Sequence, residues 1–174
     1  MNILGISGSL RAQSSNGALL EAAVLLAPEG LSVTLFDDVG RLPHFNPDIE
    51  AGELPGEVVA LRAAVNGADA LLVSAPEYAR GIPGSFKNAL DWLVGDTEFA
   101  GKPVAIWSAS LRAKAGPAAL LLVLTTMSGA VVEAASVTVD LMSGGWTGAR
   151  IAADAEKAGI LKAALENLAA AHGR

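Results

Sequence analysis

Short apolar runs alternate along this chain with longer segments whose apolar residues recur every three to four positions. Met1 to Ser7, centred on Ile3-Leu4-Gly5-Ile6, predicts a buried strand. Ser14 to Ala27 predicts a helix with Leu19, Leu20, Ala23, Val24 and Leu26 on a broad apolar face, stopped by Pro28, Glu29 and Gly30. Leu31 to Phe36 alternates as a second strand. Asp37 to Pro55 is a long loop rich in Pro, Gly and acid, with room for a short helical turn, and loops of that length are usually functional or in contact with a partner. Gly56 to Gly67 predicts a helix, and Asp69 to Ala75 an uninterrupted apolar strand covered on both faces. Pro76 to Gly84 is a loop, Ser85 to Leu93 a helix, Gly95 to Lys102 a polar connection, and Pro103 to Trp107 the fourth strand. A loop from Ser108 leads to a helix over Gly116 to Met127. Val131 to Val139 is the fifth strand, Asp140 to Arg150 a Gly-rich loop, and Asp154 to Ala171 the closing helix. No internal repeat or low-complexity linker is read along the chain.

Five strands alternating with five helices specify an α/β fold, a doubly wound parallel sheet in a single domain over residues 1–174. The strand order expected for five strands is 2-1-3-4-5. The chain then reverses direction between strands 1 and 3, and a crevice opens beside the loops that follow them. The Ser108 loop lies next to the second of these.

The first of those loops, Gly8-Ser9-Leu10-Arg11-Ala12-Gln13-Ser14-Ser15-Asn16, carries hydroxyls, amides and one arginine but no acid. Unpaired N–H groups and the helix dipole make a helix start attractive to anions. Ser9, Ser15 and Asn16 as neutral donors and Arg11 as a fixed cation can hold a phosphate there. The same residues also suit an N-capped helix with one exposed arginine, and both readings stand at this level. A P-loop is excluded because no Lys is present, and a dinucleotide fingerprint because Gly5 and Gly8 are wrongly spaced. What remains suits a mononucleotide phosphate.

The second loop and its helix read Pro76-Glu77-Tyr78-Ala79-Arg80-Gly81-Ile82-Pro83-Gly84-Ser85-Phe86-Lys87-Asn88-Ala89-Leu90-Asp91-Trp92. Its prolines and glycines fix a tight, exposed backbone that a flat ligand can approach. Tyr78 offers an aromatic face and Arg80 a cation.

Composition narrows the chemistry. The 174 residues are 52% hydrophobic, which argues against disorder. No cysteine is present, so disulfides, thiolate nucleophiles and Cys-based metal sites are excluded. A formal net charge of −6 argues against nonspecific nucleic-acid binding. No run is long and apolar enough for a membrane span and no signal segment is read, so no membrane contact and a cytoplasmic location are expected. His44 and His172 lack partners at ligand spacing, so no metal site is expected. No Gly-x-Ser-x-Gly elbow is present for a serine hydrolase. Asp37 and Asp38 read as a solvated turn and Asp91 as a partner for a base. Arg112 and Lys114 either steer an anionic substrate or are simply solvated.

With these motifs in place, the chain resembles the NAD(P)H-dependent FMN reductase family, the flavodoxin-like quinone, azo-compound and chromate reductases. The first signature stands as Gly8-Ser9-Leu10-Arg11 with Ser15-Asn16, the second as Pro76 to Trp92, and the middle loop Leu42-Pro43-His44-Phe45-Asn46-Pro47-Asp48 also looks like the family's. The resemblance implies a flavodoxin-like fold and a non-covalent FMN. Ser9, Arg11, Ser15 and Asn16 would bind its phosphate. Pro76, Glu77, Tyr78 and the backbone of Ala79, Arg80 and Gly81 would border its ring, and Ser108 would close the other side. No catalytic side chain is implied, since the chemistry belongs to the flavin. NAD(P)H would be the co-substrate, and a quinone-like, azo, metal-oxyanion or free-flavin molecule the acceptor. A homodimer or dimer of dimers is implied as well, with Trp92 and Leu93 in the core or at a dimer contact.

Two departures stand out. Ala79 replaces the Asn that usually follows Pro-Glu-Tyr, with Arg80 beside it where a small or polar residue is more usual. The third loop reads Ser108-Ala109-Ser110-Leu111-Arg112-Ala113-Lys114-Ala115-Gly116, with its glycines displaced. These leave two further readings open: a flavin-binding electron carrier without enzyme activity, and a scaffold that binds no flavin.

Overall fold

The computed structural model describes residues 1–141 and 144–172. Strands β1 (Asn2–Ser7), β2 (Ser32–Phe36), β3 (Ala70–Ser74) and β4 (Pro103–Ser108) form a parallel sheet with β5 (Ala130–Val131) and β6 (Val137–Thr138). The order is β2-β1-β3-β4-β5, with β6 also on β4, which is the flavodoxin-like arrangement. The helices are α1 (Ser15–Leu26), α2 (Pro47–Glu50), α3 (Gly56–Asn66), α4 (Gly84–Asp91), α5 (Ala115–Thr126), α6 (Gly148–Ala153) and α7 (Ala155–Ala171).

The side-chain alternation of a strand sorts the sheet's residues into two cores. Ile3, Ala70, Leu72, Ala105 and Trp107 pack with α1, α6 and α7. Leu4, Ile6, Leu71, Val73 and Val104 face the opposite way, onto α3, α4 and α5. The long loop after β2 is pinned to this second layer. Asn88 donates to Pro43 O at 2.9 Å and accepts from Phe45 N at 2.7 Å, while Trp92 Nε1 donates to Pro43 O at 2.7 Å. Trp92 is therefore a core residue, edge-on to Phe45.

The fifth strand differs from expectation. Val131 to Val139 is not continuous: β5 and β6 each pair with β4, and a 3₁₀ turn, Glu133–Ala135, separates them. Side chains replace the missing ladder. Ser136 Oγ accepts from Ile106 N and donates to Val132 O, both at 3.0 Å, and Trp107 Nε1 donates to Ala135 O at 3.0 Å. The expected loop over Asp140 to Arg150, two residues of which lie outside the described ones, runs into α6 instead. Thr147 caps that helix by accepting from Arg150 N at 3.2 Å, and Asp154 caps α7 by accepting from Lys157 N at 3.1 Å. Among the described residues no helix is long and apolar enough to cross a membrane, and no group of three His, Cys, Asp or Glu is gathered as for a metal.

Candidate functional site

β1 and β3 run side by side, and their following loops leave the sheet in contact. Gly8 N donates to Ser74 O at 2.8 Å. A Cβ on Gly8 would lie 2.5 Å from that of Ala75, so only glycine lets the loops approach this closely. Ser14 caps α1 by accepting from Gly17 N at 3.3 Å. Two residues on, Asn16 reaches back to β3, where its Oδ1 accepts from the buried Ser74 hydroxyl at 3.0 Å. Asn16 is 7% exposed, and among the described residues its amide nitrogen has no partner. That nitrogen is open to solvent, so a ligand acceptor or water can meet it there.

Asn16 lines a cleft of about 430 Å³ with Ser15, Pro76, Glu77, Ser108 and Arg112. Three loops, after β1, β3 and β4, thus converge on one crevice at the switch point of the sheet. A second cleft, of about 410 Å³, adjoins it and shares Ser15 and Gly144; Arg11 and Trp146 line that lobe. Ser9 and Arg11 also line a third cleft, on the β2 side of the first loop. Tyr78, Ala79, Arg80 and Gly81 line none of the three; they form a hairpin turn in which Tyr78 and Gly81 exchange backbone bonds at 3.0 and 2.9 Å. Sequence reasoning grouped all these residues, and the structure divides them among a cleft, a neighbouring lobe, a third cleft on the β2 side that alone holds Ser9, and a hairpin.

The Glu77 carboxylate is turned toward α5. Its Oε2 accepts from Lys114 N and Gly116 N, each at 2.8 Å, at the start of α5. Gly116 has no side chain to obstruct this, since a Cβ there would stand 3.0 Å from that of Glu77. The Gly116 N–H holds the Glu77 carboxyl below its ordinary range, burial opposes this, and the Lys114 and Ala115 N–H groups and Arg80 add to the lowering. The cleft's one acid among the described residues is thereby engaged, and Arg112 is the cation in its lining.

Two features were not read from the sequence. One is the wall beyond Asp140: Gly144 and Gly145 take positive φ, and Trp146 is held with Arg150 and Lys157 at 4.2 and 4.6 Å from its ring centroid. A lone Trp in a Gly-rich loop was the available signal. The other corrects the expectation of no repeat. Ser7-Gly8-Ser9-Leu10-Arg11-Ala12 after β1 is matched by Ser108-Ala109-Ser110-Leu111-Arg112-Ala113 after β4. The bonds match too. Ser7 Oγ donates to Ser9 O and accepts from Ser9 N, and Ser9 Oγ accepts from Arg11 N. Ser108, Ser110 and Arg112 repeat each of these bonds.

Comparison with known proteins adds the following. The model of the family described as NADPH-dependent FMN reductase matches residues 1–143. An NAD(P)H-dependent FMN reductase of Pseudomonas aeruginosa is 45% identical over 112 residues, 63% of this chain and 60% of that protein. A quinone reductase of Escherichia coli K12 is 33% identical over 114 residues, 64% of this chain and 61% of its own. The matched stretch thus spans about three fifths of these relatives' length. The structure of a flavoenzyme NAD(P)H:(acceptor) oxidoreductase from Paracoccus denitrificans superposes with a TM-score of 0.74 at 27% identity, over 99% of both chains.

Proposed function

Because this chain belongs to the NADPH-dependent FMN reductase family, we propose that it is an NAD(P)H-dependent oxidoreductase holding FMN non-covalently in the cleft at the ends of β1, β3 and β4. One observation carries the reading: Asn16, nearly buried, has its carbonyl oxygen fixed by Ser74 and its amide nitrogen unpaired in that cleft. The residues present fit the cofactor. Arg11 is without an ion pair among the described residues, Ser15 offers a hydroxyl, Glu77 in the cleft is engaged by α5, and Glu21, which lines the Arg11 lobe, accepts from Gly148 N at 3.2 Å.

Arg11, Ser15 and Asn16 would hold the phosphate, through charge-assisted bonds from Arg11 and neutral donors from the other two, while Ser9, which lines only the cleft on the β2 side, would brace the loop by accepting from Arg11 N. Pro76, Glu77 and Ser108 would border the ring, with the Tyr78–Gly81 hairpin at the rim. Bound there, FMN would supply the two-electron redox chemistry between a reduced nicotinamide and an acceptor. The chain's own part is to bind, orient and partly cover, and no side-chain base or nucleophile is required. An acceptor need only reach an exposed ring, which suits quinone-like, azo, metal-oxyanion or free-flavin molecules. The quinone reductases among the relatives support the first of these classes. A cytoplasmic homodimer or dimer of dimers belongs to the same reading: Tyr78 is 52% exposed, and a second copy would cover it.

The second reading, a flavin-carrying electron module without NAD(P)H turnover, is favoured by Ala79, which puts no side-chain donor at the rim. One experiment separates the two. The protein is titrated with FMN while flavin fluorescence is followed, then mixed with NADPH or NADH and a quinone. Binding with acceptor-dependent NAD(P)H oxidation is expected; binding alone selects the module, and no binding overturns both.

A further inference from the structure

We propose that the loop Ser108–Lys114 is a second phosphate reader, in which Arg112 meets a phosphate of the nicotinamide dinucleotide entering the cleft. This rests on the cofactor reading above, which assigns the first reader, the Arg11 loop, to FMN. The two loops share sequence and internal bonds, and their leucines are alike, Leu10 being 59% and Leu111 55% exposed. Both carry an arginine whose guanidinium makes no hydrogen bond or ion pair among the described residues. Arg41 and Arg62, by contrast, are paired with Asp38 and Glu50.

The twins stand in different lobes. Arg11 lines the smaller one and Arg112 the cleft proper, on the β4 lip. FMN carries a single phosphate, so once Arg11 is engaged Arg112 is left for another ligand. The α5 start cannot serve that ligand as an anion site, because the Glu77 carboxylate already accepts from Lys114 N and Gly116 N. An incoming phosphate therefore meets the guanidinium side chain itself. Unpaired cations around a cleft on a chain of net charge −6 also concentrate and steer an anionic co-substrate. The phosphate read is either the diphosphate common to NADH and NADPH or the 2′-phosphate of NADPH alone.

The test is calorimetric titration of the wild type, Arg112→Ala, Arg112→Lys and Arg11→Ala with FMN and, in an excess of FMN, with ADP and with 2′,5′-ADP. At least one adenosine phosphate should bind. Arg112→Ala should weaken it by about tenfold or more, the scale of a charge-assisted bond. Arg112→Lys should recover part of the loss, and Arg11→Ala should change it by less than about twofold, with the dependence inverted for FMN. Preference for 2′,5′-ADP assigns the contact to the 2′-phosphate, and preference for ADP to the diphosphate. In turnover, the KM for the matching nucleotide should rise while kcat holds. The proposal is overturned if neither adenosine phosphate binds the wild type, or if Arg112→Ala weakens FMN as much as the adenosine phosphates. The two readings fail separately: adenosine phosphates that respond to Arg112 without FMN binding sink the cofactor assignment alone, and the reverse result sinks the second reader alone. Arg112 is exposed, so its substitution leaves the packing untouched.

Discussion

Glu77 and Gly116, thirty-nine positions apart, are joined by a 2.8 Å hydrogen bond from the Gly116 N–H to the Glu77 carboxylate. The bond ties the loop after β3 to the start of α5. Because the folded state holds this carboxyl below its ordinary value of 4.5, the tie contributes fully above that value. The contribution is lost as pH falls through the lowered folded value. Thermal unfolding of Glu77→Gln against wild type should therefore differ at neutral pH, with the gap closing in acid. Asp69 and Asp154 are shifted in the same direction, so the acid limb of the wild type should shrink in the variant without vanishing.

Ser74→Ala should destabilise the fold by about 1–3 kcal/mol, since it leaves the Asn16 carbonyl oxygen buried and unpaired. It should also weaken FMN binding, because the amide nitrogen loses the bond that aims it. Urea denaturation and flavin titration read the two effects separately. Lost stability with unaltered flavin affinity would remove Asn16 from the proposed site.

Ala79 and Arg80 sit at φ 49° and 63°, both in the left-handed region, at the centre of the two-residue turn between Tyr78 and Gly81. Such turns favour Asn-Gly, because other residues crowd their own carbonyls there. Ala79→Asn and Arg80→Gly should each raise stability by about 1 kcal/mol in urea denaturation. No gain from either would mean that the surroundings hold the turn at no cost. The geometry also gives a physical reason for an Asn at position 79 in the resembling family.

Ser136→Ala tests why the fifth strand breaks. The substitution takes the acceptor from Ile106 N, and should cost about 1–3 kcal/mol by chemical denaturation. A variant as stable as wild type would show that the turn needs no side-chain support. The break also marks the limit of what the sequence makes legible. Strands β1 to β4 and their helices are written in local periodicity, and the order of the sheet follows from it. Val131 to Val139 has strand composition throughout, yet its interruption depends on Ser136 and Trp107 bonding across about thirty positions, which no local pattern encodes. In the candidate site, the loops after β1 and β3 were legible as motifs. The Asn16–Ser74 bond and the turning of Glu77 toward α5 were not, for the same reason. The loop repeat is plain in the letters, but six residues are few, and it gains weight only when the bonds repeat as well.

Arg11 separates the two readings of the first loop, a phosphate site or a capped helix with an idle cation. Ser14 already caps α1, so Arg11 is not needed for the helix, and its guanidinium has no partner among the described residues. Arg11→Ala should leave unfolding unchanged and weaken FMN by about 1.5–3 kcal/mol, the worth of a hydrogen bond to a charged group. Riboflavin, which has the same ring and no phosphate, should bind the variant and the wild type alike. Equal losses for both flavins would mean that Arg11 touches the ring or shapes the loop and reads no phosphate. The comparison requires fixed ionic strength, because an exposed cation is screened by salt and the FMN-specific loss should shrink as salt rises.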